Sequence, residues 1–162
     1  MTPEHIKSNL ESWADIINFI NKFDDPQWID WQKLALRFMQ YGIDHNFNHH
    51  FRVGQSMRTL VFSTLDHYGL EYEPRVTVVI TPPETIRLIY TPSNPAPREE
   101  DELEYELIYS DAMPTFQRFL NHLWEMTRSE PLPSNMKAPK HKFTAPVLSK
   151  NDSCVSSWFD KF

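Results

Sequence analysis

The stretch Arg75-Val-Thr-Val-Val-Ile-Thr81 decides the fold, because its apolar side chains recur at every second position. Such alternation is typical of a strand with one buried face. Pro82 and Pro83 interrupt the pattern, and Ile86-Arg-Leu-Ile-Tyr90 resumes it. We therefore predict a β-hairpin in which apolar residues face each other in three pairs: Ile80 with Ile86, Val78 with Leu88, and Val76 with Tyr90.

A third strand and a covering helix are predicted after the hairpin. Between Leu103 and Tyr109, apolar residues alternate with glutamates, which indicates a strand with one face in solvent. Ser110 or Asp111 is expected to cap the next helix, with Pro114 in its first turn. The apolar stripe of this helix is Phe116, Phe119, Leu120, Leu123 and Thr127.

The outer face of the sheet is expected to be polar. Arg87 on the second strand can pair there with Glu104 or Glu106 on the third. Such exposed ion pairs stabilise a fold only weakly. The acidic run Glu99–Glu102 before the third strand is predicted to be a solubilising turn.

Two further helix patterns precede the sheet. Thr-Pro-Glu at positions 2–4 forms a start signal, and the first helix is predicted to run to about Phe23. Asp24-Asp-Pro26 repeats the signal, and Gly42 is expected to end the second helix. The short link between the helices predicts an antiparallel hairpin. The apolar stripes are Ile6, Leu10, Trp13, Ile17 and Ile20 in the first helix, and Trp31, Leu34, Ala35, Phe38 and Tyr41 in the second.

Three tryptophans in this region, Trp13, Trp28 and Trp31, have two interpretations. They can form a platform on which a ligand stacks, or they can belong to the core. Aromatic residues at helical spacing favour the core interpretation.

Residues 43–74 are harder to interpret. Ile43 to Gln55 is polar and aperiodic, which predicts a connecting loop. From Met57 to Tyr68 the apolar residues follow helical spacing, which predicts a third helix before Gly69. Thr59 to Thr64 is rich in strand formers, so an extended element is the competing assignment.

Composition limits the classes of function. With 162 residues and 40% apolar content, the chain suffices for one domain with a hydrophobic core. The net charge of -6 argues against a general nucleic-acid binder. The sequence contains no glycine-rich phosphate loop, no long apolar run and no leader peptide, so we expect a cytoplasmic protein without a cofactor and without a membrane span. The single Cys154 fits a reducing compartment.

These patterns predict an α+β domain over residues 1–128. An N-terminal helical hairpin, a third helix and a covering helix would pack on a small antiparallel sheet. Residues 129–162 begin with a proline-rich, lysine-containing stretch that lacks apolar periodicity. We predict that they form an extended C-terminal arm.

The arm ends in the aromatic sequence Ser157-Trp-Phe-Asp-Lys-Phe162. Each large ring would bury of order 150 Å² if it docked, so the rings either fold back onto their own domain or bind another protein. The hexapeptide resembles the Ser-hydrophobic-Phe-Asp-x-Phe tails with which some bacteriophage replication and late-transcription proteins bind a ring-shaped sliding clamp. Trp158 departs from that pattern, which usually has an aliphatic residue there. The resemblance implies that Trp158, Phe159 and Phe162 are anchors and that Asp160 orients the peptide.

A histidine-rich stretch, Asp44-His-Asn-Phe-Asn-His-His50, offers a second candidate site. On a helix, His45 and His49 would share a face and could bind one metal ion, with Asp44 or His50 as a third ligand. No Glu lies between the two histidines as it does in H-E-x-x-H. Surface histidines on a polar loop are the alternative interpretation.

We therefore predict a non-enzymatic adaptor that binds a protein partner, such as a sliding clamp or an assembly neighbour, through Trp158, Phe159, Asp160 and Phe162. One alternative is a structural component of a virus particle, similar in architecture to a neck or tail-completion subunit. An inhibitor or immunity protein has the same acidic, glycine-poor profile. A metal-dependent hydrolase that uses His45 and His49 is the enzymatic alternative.

Overall fold

The computed structural model describes residues 1–64, 73–92 and 103–136. They form the predicted α+β fold, in which helices pack on a five-stranded antiparallel sheet whose strand order follows the chain. The strands are β1 (Arg52–Ser56), β2 (Thr59–Ser63), β3 (Arg75–Thr81), β4 (Thr85–Thr91) and β5 (Leu103–Ile108). The helices are α1 (Pro3–Asn21), α2 (Ile29–Asp44) and α3 (Tyr109–Thr127).

The predicted register of the central hairpin is confirmed. Ile80 lies opposite Ile86, Val78 opposite Leu88, and Val76 opposite Tyr90. The first five of these side chains are fully buried and Tyr90 is 3% exposed. The alternation of apolar residues therefore places one face of β3 and β4 in the core.

The same inner face continues across the other strands and is covered by helices. Phe62 on β2 lies opposite Val76, and Tyr105 on β5 lies opposite Leu88. From α3, the Phe116 ring packs 4.9 Å from the Phe62 ring, and Phe119 lies 5.7 Å from Tyr105. The helix therefore covers the sheet as its apolar stripe predicts.

The helices α1 and α2 form the expected antiparallel hairpin. Trp13 in α1 contacts Gly42 near the end of α2, whereas Gln32 near the start of α2 donates a 2.9 Å hydrogen bond to the carbonyl of Ile20. Thr2 caps α1, since its hydroxyl accepts a hydrogen bond from the amide of His5. Asp25 caps the short 3-10 turn that precedes α2.

The outer surfaces of these helices are polar. In α1, Lys7 forms an ion pair with Glu11 one turn later at 3.8 Å, and in α2, Lys33 pairs with Asp30 at 3.8 Å. Such amphipathic helices place one stripe in the core and the rest in water. Within the described ranges, no helix is long and apolar enough to cross a membrane.

The predicted end of α2 at Gly42 is wrong. The helix continues to Asp44, and Asn46, at a left-handed φ of 58°, follows its end. Gly42 serves packing instead, because a Cβ atom there would lie 2.3 Å from Cη2 of Trp13. The glycine therefore lets α1 approach α2 closely.

The third helix predicted from Met57 to Tyr68 is also wrong for the described residues. Met57, at φ 52°, and Arg58 form a turn between β1 and β2, and the competing extended assignment is confirmed for Thr59–Ser63. Pairing with strands on both sides overrides the helical spacing. The predicted loop to Gln55 is likewise wrong at its end, because β1 occupies Arg52–Ser56.

The start of α3 differs from the prediction. Neither Ser110 nor Asp111 caps the helix, since Ile108 holds the cap position without a side-chain hydrogen bond. The amide of Tyr109 instead donates to the carbonyl of Glu84 in the β3–β4 turn. The helix therefore begins directly after β5, which places Pro114 inside the helix and not in its first turn.

Candidate functional site

The segment after α3 is held along that helix. The indole nitrogen of Trp124 donates a 3.1 Å hydrogen bond to the carbonyl of Glu130, and Gln117 donates one of 3.1 Å to the carbonyl of Met136. Met136 is fully buried. Because later residues of the segment contact earlier residues of α3, the chain runs antiparallel to the helix, towards its N-terminus.

The predicted partner-binding residues Trp158, Phe159, Asp160 and Phe162 lie outside the described residues. The acidic run Glu99–Glu102 and Cys154 do so as well. Of the predicted arm, residues 129–162, the structure describes 129–136, and the last of these, Met136, is anchored in the core.

The histidines do not have the helical spacing on which a metal site was predicted. His45 follows the last residue of α2, and His49 belongs to a separate 3-10 turn, Phe47–His49. The His45 imidazole stacks on Tyr41 at 4.0 Å, and its Nδ1–H donates a 2.8 Å hydrogen bond to the Tyr41 carbonyl. His45 therefore directs one nitrogen to the end of its own helix.

His50 packs into the domain. Its ring meets Trp124 edge to face at 5.3 Å. Burial lowers the pKa of His50, and the neighbouring His49 lowers it further. His122, which lies on α3, is separate from this group. Its ring contacts the Tyr90 ring of β4 at 4.9 Å, and burial lowers its pKa.

Across residues 1–64, 73–92 and 103–136, no three His, Cys, Asp or Glu residues stand close enough together to hold a metal ion. The candidates Asp44, His45, His49 and His50 thus form no such group in this structure.

Two of the three tryptophans of the helical hairpin, Trp13 and Trp31, belong to the core. Trp13 donates a 2.8 Å hydrogen bond to the carbonyl of Phe51, and Trp31 donates one of 3.2 Å to the carbonyl of Arg58. Trp28 is half-buried, and the Arg58 guanidinium lies 4.8 Å from its ring. The core interpretation is therefore confirmed for Trp13 and Trp31.

The outer face of the sheet carries the predicted ion pair. Arg87 and Glu104 lie 3.4 Å apart, with side chains that are 46% and 51% exposed. At that exposure the pair contributes at most about 1 kcal/mol. No described helix packs on this outer face, whose half-buried centre consists of Val61, Thr77, Val79 and Ile89.

The two edges of the sheet differ, which sequence reasoning did not find. At β1 the outward amide of Val53 donates to Ser12 Oγ of α1 at 3.2 Å. At the opposite edge, β5 pairs only with β4 among the strands that the structure describes. The alternation of Glu104 and Glu106 with apolar residues indicated only that one face of β5 lies in solvent.

No family model, no curated protein and no solved structure matches this chain. Its function therefore has to be inferred from its own residues. Two features are candidates for a binding role: the aromatic sequence Ser157–Phe162 and the strand β5, which is an edge strand among the described residues.

Proposed function

We propose that this chain is a non-enzymatic interaction protein that binds a protein partner through residues 149–162. Trp158, Phe159 and Phe162 would enter apolar pockets of the partner, and Asp160 would orient the peptide. The observation that supports this proposal most is that, within residues 1–64, 73–92 and 103–136, aromatic residues of the domain already join the helices to the sheet.

A continuous set of ring contacts connects the helices to the sheet. Trp13 of α1 lies 5.7 Å from Phe62 of β2, which lies 4.9 Å from Phe116 of α3. Phe116 in turn lies 4.6 Å from Phe38 of α2. Among the described residues, rings of the domain itself thus join both layers.

The position of Met136 supports the same proposal. The residue is buried, and its carbonyl is held by Gln117, which itself accepts a hydrogen bond from Tyr41. The rest of the arm, residues 137–162, begins from this fixed point. Aromatic residues concentrated after a proline-rich stretch are then suited to a partner of apolar, grooved surface.

The hexapeptide from Ser157 to Phe162 supports one class of partner. Its resemblance to clamp-binding tails favours a ring-shaped sliding clamp of the bacteriophage type. Truncating a hot-spot residue of this kind to alanine weakens the binding free energy by about 2 kcal/mol or more. Replacing two such residues should therefore weaken binding at least about 100-fold.

The test is isothermal titration calorimetry of the intact chain against purified bacteriophage sliding clamps, compared with the Trp158→Ala, Phe162→Ala double variant. The control is Met57→Ala, Met126→Ala, which removes two side chains that are 83% and 63% exposed on the domain. We expect binding by the intact chain and the control, and its loss in the double variant. Equal binding by all three proteins would contradict a role for the tail, and no binding to any clamp would contradict this class of partner.

A further inference from the structure

Three elements expose apolar side chains at one end of the domain. Phe19, near the end of α1, is 44% exposed, and Ile29, the first residue of α2, is 39% exposed. Met57, in the turn between β1 and β2, is 83% exposed. Large apolar side chains that are exposed singly are common, whereas a contiguous group of them is typical of a binding surface.

Aromatic contacts join these three elements into one surface. Phe19 meets Phe23 edge to face with ring centroids 5.0 Å apart, and Phe23 stacks on Trp28 at 5.6 Å. The guanidinium of Arg58, the residue after Met57, lies 4.8 Å from the Trp28 ring. The surface is therefore continuous from α1 to the β1–β2 turn. We name it the end patch, and it consists of Phe19, Phe23, Trp28, Ile29 and Met57.

The backbone of the β1–β2 turn presents Met57 in an unfavourable conformation. Its φ of 52° is left-handed, which glycine and asparagine adopt more readily than methionine does. The next carbonyl, that of Arg58, accepts hydrogen bonds from the amide of Ile80 at 3.1 Å and from the indole of Trp31 at 3.2 Å. These bonds fix the turn. A methionine that is exposed where asparagine would fit better indicates a role for its side chain in binding.

Unpaired charges of both signs flank the end patch. Arg58 is exposed beside Met57, and Asp24 is exposed beside Phe23. Within residues 1–64, 73–92 and 103–136, no ion pair includes Arg58 or Asp24. Each side chain can therefore pair with an opposite charge on another molecule.

We propose that the end patch binds a second copy of this chain across a two-fold axis. In such a dimer both protomers contribute the same surface. Met57 of one protomer would contact the partner's Phe19 and the partner's Phe23, because thioether sulfur packs favourably against aromatic rings. Arg58 would lie beside the partner's Asp24. The end patch carries both members of each pair, which favours a second copy over an unrelated protein.

The dimer is expected to be weak and reversible. Stable interfaces bury about 800 Å² on each partner, which is more than five partly exposed side chains supply. The inference goes beyond the proposed binding of residues 149–162 and does not depend on it. Each chain carries its own tail whether it is a monomer or a dimer, so the two proposals can fail separately.

The test is sedimentation equilibrium of the full-length chain at concentrations up to about 0.5 mM, where a weak dimer is populated. Met57→Asn removes the apolar side chain and suits the left-handed backbone. It should therefore keep or raise the melting temperature while raising the dissociation constant of the dimer at least about tenfold. The control Met126→Asn changes a methionine of α3 that is 63% exposed and should keep the wild-type constant. A monomeric wild type, or equal constants in wild type and Met57→Asn, would overturn the proposal.

An exchange of charge tests the two-fold arrangement. Arg58→Glu and Asp24→Arg should each weaken association at least about tenfold, because like charges would then meet at two places in the dimer. In an equimolar mixture of the two variants, both pairs again join opposite charges across the interface. The mixture should therefore dimerise within about threefold of the wild-type constant. A mixture that associates no more tightly than either variant alone would contradict the pairing.

Discussion

Replacing Gly42 with alanine tests the close approach of α1 to α2. In an exposed helix this change stabilises by about 1 kcal/mol, because alanine has the higher helix propensity. Here the new Cβ would lie 2.3 Å from Cη2 and 2.7 Å from Cζ3 of Trp13. The indole cannot easily retreat, since it is 2% exposed and bonded to the carbonyl of Phe51.

The sign of the change in unfolding free energy shows whether helix propensity or overpacking against Trp13 is the larger contribution. Overpacking of a core costs about 1–3 kcal/mol, and so rigid a contact belongs at the upper end. After subtraction of the helix propensity we expect Gly42→Ala to lower the free energy of unfolding by about 2 kcal/mol. The melting temperature should fall by about 4–8 °C.

The assay is urea denaturation followed by far-ultraviolet circular dichroism, in wild type and in a Trp13→Phe background. Phenylalanine removes the ring atoms that the new Cβ would meet, so Gly42→Ala should there be neutral or stabilising. A stabilising effect of Gly42→Ala in the wild-type background, or the same cost in both, would refute the packing explanation.

Two further predictions concern the sheet. Leu88→Ala should lower the free energy of unfolding in urea by about 2–5 kcal/mol, because Leu88 is fully buried. Ile89→Ala, on the half-buried outer face, should lower it by about 1 kcal/mol or less. Similar losses in the two variants would contradict the assignment of the two faces. Burial raises the pKa of Tyr90 to about 12, so the stability it contributes is present below pH 10 and lost as pH rises from 10 to 12. Ultraviolet titration of Tyr90→Phe against wild type should show the loss of an ionisation near pH 12, and loss of one near pH 10 would contradict it.

The parts of the fold that the sequence predicted are those set by local signals. The alternation from Arg75 to Tyr90 has only one register that buries its apolar side chains, and Thr2 before Pro3 is a strong helix start. The parts it did not predict depend on distant residues. Met57, Leu60 and Val61 fit a helix as well as a strand, and pairing of β2 with β1 and β3 decides between them.

The candidate functional features show the same division. The tail motif around Trp158 is local and visible in the sequence, although it lies outside the described residues. His45 and His49 do not lie on one helix face as predicted, because α2 ends before His45 and Asn46 follows in a left-handed conformation. That β5 is an edge strand among the described residues could not be predicted, because strand order is a property of the whole sheet.

Deletion of residues 149–162 tests the central claim most directly, with thermal unfolding and partner binding measured on the same protein. The account predicts that the melting temperature stays within about 2 °C of the full-length value, as for changes outside the packed core, while binding is lost. A large fall in melting temperature would show that Trp158, Phe159 and Phe162 belong to the core of their own domain, which would contradict the account.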